Sequence, residues 1–471
     1  MLQKLNRKTA NVPRTHPVKV LQFGEGNFLR AFVDWMVDIL NEKTDFNGAV
    51  EIIQPLEKGM AEVLKIQDGL FHVMLKGLQH GQVYSNIRMV TCVSNAINPY
   101  DDFKAFLATG ENPDLKFLVS NTTEAGIAFD PADARPLLLS QSFPGKVTQL
   151  LYHRFQFFTG DLTKGLYFLP CELIEKNGDQ LKETILKYAE DWKLPSDFAK
   201  WVTSANVFCN TLVDRIVPGF PRETIAEIQE SIGYEDNLVV QAEPFHLWVI
   251  ESPVEIRKHF PADQAGLDVK FVSDLTPYRT RKVRILNGAH TALVPVAYLA
   301  GFRTVMDSVN DEAIGTYIRK VIFDEIIPTL DLPADELKQF ANDVIERFKN
   351  PFIKHELLSI ALNSISKFKV RVLPSLLEYY KRKGVLPENM INSLAALLRF
   401  YKGEWNGAAI PLNDSKDVLD FFKSTWENDD GIAKKVLEQK SFWGQDLTQI
   451  TGLSEQLESA LIQTEKRAGF A

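Results

Sequence analysis

Val18-Lys19-Val20-Leu21-Gln22-Phe23 runs into Gly24-Glu25-Gly26-Asn27-Phe28-Leu29-Arg30-Ala31 and then into Phe32-Val33-Asp34-Trp35-Met36-Val37-Asp38-Ile39-Leu40. The first six residues are a short β-prone run, and the last nine carry apolar residues at helical spacing before the chain turns polar. Strand, Gly-x-Gly turn and helix together form the setting that a dinucleotide-binding fingerprint requires. Gly24 permits the tight turn, and Gly26 lets the backbone approach a pyrophosphate seated at the positive end of the helix. Leu29 stands where a third glycine would complete G-x-G-x-x-G, and small Ala31, two positions later, offers close helix–strand packing. Phe23, Gly24, Glu25, Gly26, Asn27, Phe28, Leu29 and Arg30 are therefore the candidate cofactor loop.

The next strand, Ala49 to Gln54, ends without an acidic residue at its tip. Glu57, just past Pro55, is the nearest carboxylate for a ribose 2′-hydroxyl, which favours NAD over NADP although Lys58 lies beside it. Leu70–Leu78 and Val83–Val93 read as a hairpin across Gln79-His80-Gly81-Gln82, inserted in the nucleotide domain. Asp102–Ala108 reads as a short helix. Leu115–Ser120 is a buried strand followed by Asn121-Thr122-Thr123-Glu124-Ala125-Gly126. Ligands of open α/β sheets bind at the carboxyl ends of strands, so Asn121 and Thr122 are candidates for the ribose or nicotinamide. A turn with a helix cap reads equally well there.

Lys146–Phe158 has the spacing of an amphipathic helix, Gly165–Glu172 that of a buried strand, and Asp179–Trp192 that of a helix after an Asn177-Gly178 turn. Phe208–Pro218 sets Asp214 and Arg215 in an apolar run, as a salt bridge or as part of a site. Val239–Glu251 and Val269–Asp274 look like further strands. From about residue 279 the periodicity is helical, with one helix expected over 353–366. The fold expected is α/β: a Rossmann-type domain over 1–278, then a mostly α-helical domain over 279–471.

The chain has 471 residues, 45% hydrophobic and 24% charged, with a net charge of −8. That composition is ordinary for a soluble globular protein of two or three domains, and the acidity argues against general binding of nucleic acid or anionic membranes. Cys92, Cys171 and Cys209 are far apart, which fits reduced thiols. No secretory h-region and no apolar run long enough to span a bilayer is visible, so a cytoplasmic protein is expected. Metal-site spacings, the G-x-S-x-G elbow and the P-loop are all missing, so no metal is expected.

In Lys282-Val283-Arg284-Ile285-Leu286-Asn287-Gly288-Ala289-His290, a Lys, an Asn and a His interrupt an apolar run. At about 100° per residue the three fall within an arc of about 140°, where they can hold one hydroxyl or carbonyl between them. A snorkelling Lys with a satisfied core Asn and His is the competing reading. Pro295 predicts a kink near Thr291. Downstream, Lys354-His355 and Lys367, Lys369 and Arg371 form a basic cluster. Lys367 and Arg371 share a face if the segment is helical, and all three alternate on one face if it is extended. Such a cluster is either an anion pocket or a solvated face.

The nine residues from Lys282 match the K-x-R-x-L-N-x-x-H signature of the mannitol dehydrogenase family, the polyol-specific long-chain dehydrogenases. Leu212-Val213-Asp214-Arg215-Ile216 and Gly24-Glu25-Gly26 resemble that family in the right order. Phe23 through Phe32, Ser120 through Gly126, Lys282 through Pro295 and Ile353 through Asn363 look more narrowly like its sugar-acid branch, nearly end to end. The resemblance implies NAD-dependent interconversion of D-altronate and D-tagaturonate in hexuronate catabolism. It also implies a Rossmann-type domain followed by a helical one like that of 6-phosphogluconate dehydrogenases. By position, Lys282 matches the general acid/base, Asn287 and His290 the residues that polarise the substrate oxygen, and Asp214 a substrate-side carboxylate. The family's polyol enzymes carry a C-D-N run where this chain reads Cys171-Glu172-Leu173, which leaves Glu172 or Asn177 to compensate for the missing Asn.

Lys282 in an apolar setting is expected to have a lowered pKa and to exchange a proton near neutral pH. Lys354, Lys367, Lys369 and Arg371 are expected to bind the substrate carboxylate. Competing functions are a mannonate/fructuronate oxidoreductase, a neutral-polyol dehydrogenase, and a protein that senses NAD without catalysis. The residues leave the oligomeric state open.

Overall fold

β1 (Val18–Phe23), β2 (Ala49–Ile53), β3 (Phe71–Gln79), β4 (Gln82–Val90), β5 (Val93–Ile97), β6 (Phe117–Ser120), β7 (Tyr167–Pro170), β8 (Val207–Phe208), β9 (Asn210–Asp214), β10 (Val240–Ala242), β11 (Leu247–Glu251) and β12 (Val269–Val272) build the first unit. Six of them form one sheet in the order β5-β2-β1-β6-β7-β8, every pairing parallel. Numbered by their place in that sheet, this is 3-2-1-4-5-6, the dinucleotide-binding order whose direction reverses between β1 and β6. The computed structural model describes residues 2–14, 16–79, 81–122, 126–133, 138–253, 255–427 and 430–468. His80 of the hairpin turn and Thr123-Glu124-Ala125 of the loop after β6 lie outside them.

The sheet is apolar on both faces, as a sheet covered on both sides must be. Val20, Phe117, Val119 and Leu169 face the cluster that holds Leu29, Phe32 and Met36. Leu21, Phe23, Leu118 and Phe168 face the opposite cluster, with Phe143, Val147 and Leu181. This is strand alternation read directly from sequence. Helix α1 (27–43) covers the first face, and α2 (Phe143–Phe157) and α3 (Asn177–Asp191) serve the second. The β3–β4 hairpin joins β10 in a second sheet, and β9, β11 and β12 form a third.

Two compact units divide the chain, Met1–Gly77 with Val83–Leu275, and Leu78–Gln82 with Thr276–Ala471. The second is helical, with α4 (276–299), α5 (Ala334–Phe348), α6 (Ser364–Arg371), α7 (Leu373–Lys383), α8 (Glu388–Phe400) and α9 (Leu453–Ala468) among its elements, beside a small hairpin at Glu404–Trp405 and Ala408–Ala409. The helix expected over 353–366 is broken. Only Leu357–Ile360 is helical before α6, because Asn363 takes the left-handed conformation (φ 51°) and its N–H donates to Asn413 O at 2.9 Å. Among the described residues, no helix is long and apolar enough to cross a membrane.

Candidate functional site

The nucleotide half is built where β1 meets α1. Gly24 has φ 122°, and a Cβ there would stand 3.1 Å from Leu29 Cδ1 and 3.2 Å from Asn121 O. Only glycine turns the chain this way so close to the tip of β6. Gly24 N–H donates to Ile53 O at 3.0 Å, which closes the turn on β2. Gly26 caps α1, and a Cβ placed on it would touch nothing within 4 Å. A glycine turn at the switch point, with open space over the helix start, fits the pyrophosphate of a dinucleotide.

Not every residue of the loop points into that space. Phe23 and Leu29 are core, and Phe28 stacks on Phe32 at 5.0 Å. Arg30 is buried and donates to Glu25 O at 3.0 Å, to Asn27 Oδ1 at 2.8 Å and to Leu238 O. Its guanidinium therefore braces the loop from behind. Glu25 is buried and accepts from Met60 N–H at 3.3 Å, and burial raises its pKa. Glu57 is exposed in the loop after β2. Gln54 shapes that loop by donating to Leu56 O at 2.7 Å and Glu57 O at 3.0 Å while accepting from Ala61 N–H at 3.1 Å. Lys146 is a residue that sequence reasoning passed over. It is buried, donates to Tyr100 Oη at 3.1 Å and Gln141 O at 2.7 Å, and burial brings its pKa down to about 8.

Under the turn, Gln22 Nε2 reaches Gly24 O at 3.0 Å and Asp34 Oδ2 at 3.3 Å. Asp34 is fully buried, Asp34 Oδ1 and Gln22 Oε1 have no hydrogen-bond partner among the described residues, and burial lifts the Asp34 pKa to about 7. An acid with a folded pKa above its unfolded one binds a proton in the folded chain that the unfolded chain has lost, so stability falls as pH rises between the two values. From about pH 4 to about pH 7 the Asp34 contribution falls by a few kcal/mol, at about 1.4 kcal/mol per pH unit. Asp34→Asn is expected to match wild type near pH 4 and to be more stable at pH 8 in urea unfolding. A wild-type advantage at pH 8 would contradict this.

The tips of β6 and β7 carry the clearest correction. Glu172 is buried and accepts from Thr122 N–H at 2.9 Å, Thr122 Oγ1 at 3.1 Å and Ser120 Oγ at 3.1 Å. Burial raises its pKa, and its role is to tie the two strand tips together. Asn177 is not in a turn but opens α3. Its Nδ2 donates to Pro170 O, Glu172 O and Thr211 O at 2.9–3.1 Å, and its Oδ1 accepts from Gly178 and Thr211 N–H at 3.0 and 2.8 Å. Gly178 is required because a Cβ would lie 2.3 Å from Cys209 O. With their polar atoms engaged in this way, Glu172 and Asn177 hold the strand tips together, and Leu173, between them in sequence, is 57% exposed. Asn121 Nδ2 reaches Cys171 O at 3.4 Å.

Asp214 ends β9 and is buried. Arg215 turns to backbone carbonyls, Glu243 O at 2.9 Å and Ala31 O at 2.7 Å, and lies 4.3 Å over Trp35. Its buried guanidinium has a pKa lowered to about 9 by desolvation, so it is a brace across the fold.

In the second unit, Lys282–Asn287 is not an ordinary stretch of helix but a wide π turn between Thr276–Arg281 and Gly288–Leu299. Gly288 N–H donates to Val283 O, a five-residue step. Closing the turn over five residues brings Lys282 and Asn287 nearer one face than an α-helix would, and such bulges occur often at functional sites. Lys282 and Asn287 are half-buried, and the Asn287 carboxamide bonds to no described residue. His290 is buried, stacked on Phe348 at 4.1 Å and edge-on to His355 at 5.0 Å. Thr291, not singled out by spacing, donates to Asn287 O at 2.9 Å. The helix continues through Pro295.

The basic cluster is not one pocket. Lys354 is 77% exposed and paired with Glu356 at 3.1 Å. Lys369 lies against Gly444, whose Cβ would stand 3.6 Å from its Nζ. Lys367 and Arg371 share a face of α6, as helical spacing dictates. Lys367 donates to Ile360 O at 2.8 Å, and Arg371 Nη1 reaches Thr291 Oγ1 at 3.5 Å. Burial, and then the Arg371 charge, lower the Lys367 pKa against the pull of Asp414, and burial lowers that of Arg371. The fold thus holds two like charges together beside the helix that carries Asn287 and His290, an arrangement that an incoming anion relieves.

A Rossmann sheet with a glycine turn at its switch point, and a helical unit with Lys, Asn and His on one element, define a dinucleotide-dependent dehydrogenase. Residues 18–260 match the Mannitol dehydrogenase Rossmann domain and 274–464 the Mannitol dehydrogenase C-terminal domain. The chain belongs to the mannitol dehydrogenase family and is an NAD-dependent oxidoreductase acting on a CH–OH group. It is 50% identical to the altronate oxidoreductase of Phocaeicola vulgatus, over 99% of this chain and 98% of that one. The Bacillus subtilis altronate oxidoreductase is 49% identical over 97% and 94%. In fold the chain is similar to a D-sorbitol dehydrogenase in substrate-free form (TM-score 0.84, 22% identity, 99% of each chain). It is also similar to Pseudomonas fluorescens mannitol 2-dehydrogenase in a ternary complex with NAD and D-mannitol (TM-score 0.69, 20% identity, 99% and 98%).

Proposed function

We propose that the chain interconverts D-tagaturonate and D-altronate with NAD, in the cytoplasm and in hexuronate catabolism, with Lys282 as general acid/base. The observation that carries the sugar-acid reading is the Lys367–Arg371 pair beside the Asn287–His290 helix, since a neutral polyol has no use for two adjoining cations. End-to-end identity near 50% to altronate oxidoreductases supports it.

Gly24 and Gly26, with Asn27 at the helix start and Glu57 on the ribose side, would hold the dinucleotide. When bound, NAD supplies the hydride donor or acceptor. The protein's own residues do the rest. The Lys282 amine gives a proton to the substrate oxygen in reduction and takes it in oxidation. The Asn287 amide and His290 imidazole donate to that oxygen as charge grows on it, and each such donor is worth about 3 kcal/mol when pre-oriented. The Phe348 stack and the His355 edge hold the His290 ring in place. Lys367 and Arg371 bind the carboxylate, with Arg371 suited to a two-pronged contact.

The test follows NADH absorbance with tagaturonate, fructuronate and fructose. Tagaturonate is expected to give the largest kcat/KM. Preference for fructuronate would make this a mannonate oxidoreductase, preference for fructose a polyol dehydrogenase, and tight NADH binding with no turnover an NAD sensor.

A further inference from the structure

The carboxyl ends of the parallel strands carry the nucleotide loop, but a cavity of about 720 Å³ opens at their amino ends, among Lys19, Lys43, Asp45, Lys116, Lys258 and His259. We propose that this cavity binds a small, multiply charged phosphate compound, distinct from the dinucleotide.

Position argues first. Lys19 lies at the start of β1 and Lys116 just before β6, the two strands whose far ends are Gly24 and Asn121. Five residues of strand at about 3.3 Å each separate Lys19 from Gly24, about 16 Å, so the cavity cannot be part of the dinucleotide crevice. Its floor is apolar and packed: Phe46 and Phe117 line it, are buried, and have ring centroids 6.2 Å apart.

Charge argues next. The chain as a whole is acidic, at −8, yet four lysines gather here. Lys43, Lys116 and Lys258 form no ion pair with a described residue, and Lys19 donates to Phe46 O at 2.6 Å. The other lining charges are neutralised elsewhere, Glu42 by Arg88 at 2.6 Å and Arg257 by Asp263, which leaves Asp45 as the opposing carboxylate. His259 registers the resulting field. Its pKa is lowered by burial and then by Lys116, Lys258 and Lys19 in turn, so three cations act on one imidazole at once. Ammonium groups without a guanidinium fork recognise charge more than planar geometry, which suits phosphate groups over a single carboxylate. The volume admits a diphosphate or triphosphate compound.

The experiment uses the full chain saturated with NADH, so that the dinucleotide crevice is filled, and titrates inorganic tripolyphosphate by calorimetry at about 50 mM salt. One site is expected. The Lys116→Gln/Lys258→Gln double variant should bind about tenfold more weakly or worse, at unchanged anion-free turnover. The His259 Cε1 proton, followed by NMR, should titrate at higher pH when tripolyphosphate is bound to wild type. A control pair on the exposed surface of the second unit, Lys434→Gln/Lys440→Gln, alters net charge equally and should bind as wild type. No heat of binding, equal affinity in the cavity variant, or equal loss in the control would each overturn the proposal. So would tripolyphosphate binding that NADH abolishes, because that would assign the anion to the dinucleotide crevice.

Discussion

Lys282→Ala is expected to lower kcat for tagaturonate reduction by about 10²- to 10⁴-fold, the range a positioned proton carrier contributes, with NADH affinity within about twofold of wild type. The separation of the two effects follows from the fold. Lys282 opens the wide turn of the helical unit, whereas the glycine turn that suits the dinucleotide belongs to the first unit. Lys282→Arg is the sharper variant. It keeps the positive charge and much of the reach, but a guanidinium does not release its proton near neutrality. An activity deficit in Lys282→Arg as deep as in Lys282→Ala would identify proton transfer rather than charge as what is missing. Partial restoration of Lys282→Ala by added methylamine would place the lost group at the reacting oxygen. Near-normal turnover in Lys282→Ala removes the assignment, and loss of NADH binding in parallel with turnover would mean that the helix itself had been disturbed.

How much of this was readable in the sequence depended on how local the cause was. The β1–Gly24–α1 unit is written within 26 residues, and its strand alternation and glycine positions are short-range properties. The 3-2-1-4-5-6 order is not written there, because parallel strands with short right-handed crossovers also allow orders such as 2-1-3-4-5. The wide turn at Lys282–Asn287 is different, because its residues suit an α-helix equally well and the extra residue per turn leaves no mark on the apolar spacing. Asn177 was read as a turn because Asn-Gly so often is one. Its helical place depends on carbonyls from Pro170 and Thr211, which only the folded sheet brings to it. Arg30 was read as part of the cofactor loop by its place after the glycines, yet Leu238 O, 208 residues away, helps to hold it inside. The basic cluster divided for the same reason. Lys354 and Lys367 are close in sequence, but Asn363 turns the chain between them, leaving Lys354 in solvent with Glu356.

Arg371→Ala should lower kcat/KM for tagaturonate by about 30- to 150-fold, equivalent to a charge-assisted hydrogen bond of about 2–3 kcal/mol. Turnover of fructose, which has no carboxylate, should change by no more than about twofold. Lys367→Ala should act in the same direction but less strongly, since a lysine offers charge without the fork. The contrast between substrates is what gives the measurement its force, because Arg371 also touches Thr291 Oγ1 at 3.5 Å, and Thr291 in turn donates to Asn287 O. A purely structural Arg371 would loosen Asn287 and slow every substrate alike. Thr291→Val separates the two causes: it removes that contact at nearly constant volume while leaving both cations in place. If Arg371 binds the carboxylate, Thr291→Val keeps the preference for the acid over fructose while Arg371→Ala loses it. If Thr291→Val reproduces the Arg371→Ala profile, Arg371 is a positioning residue, and the group that selects a sugar acid lies elsewhere in the helical unit.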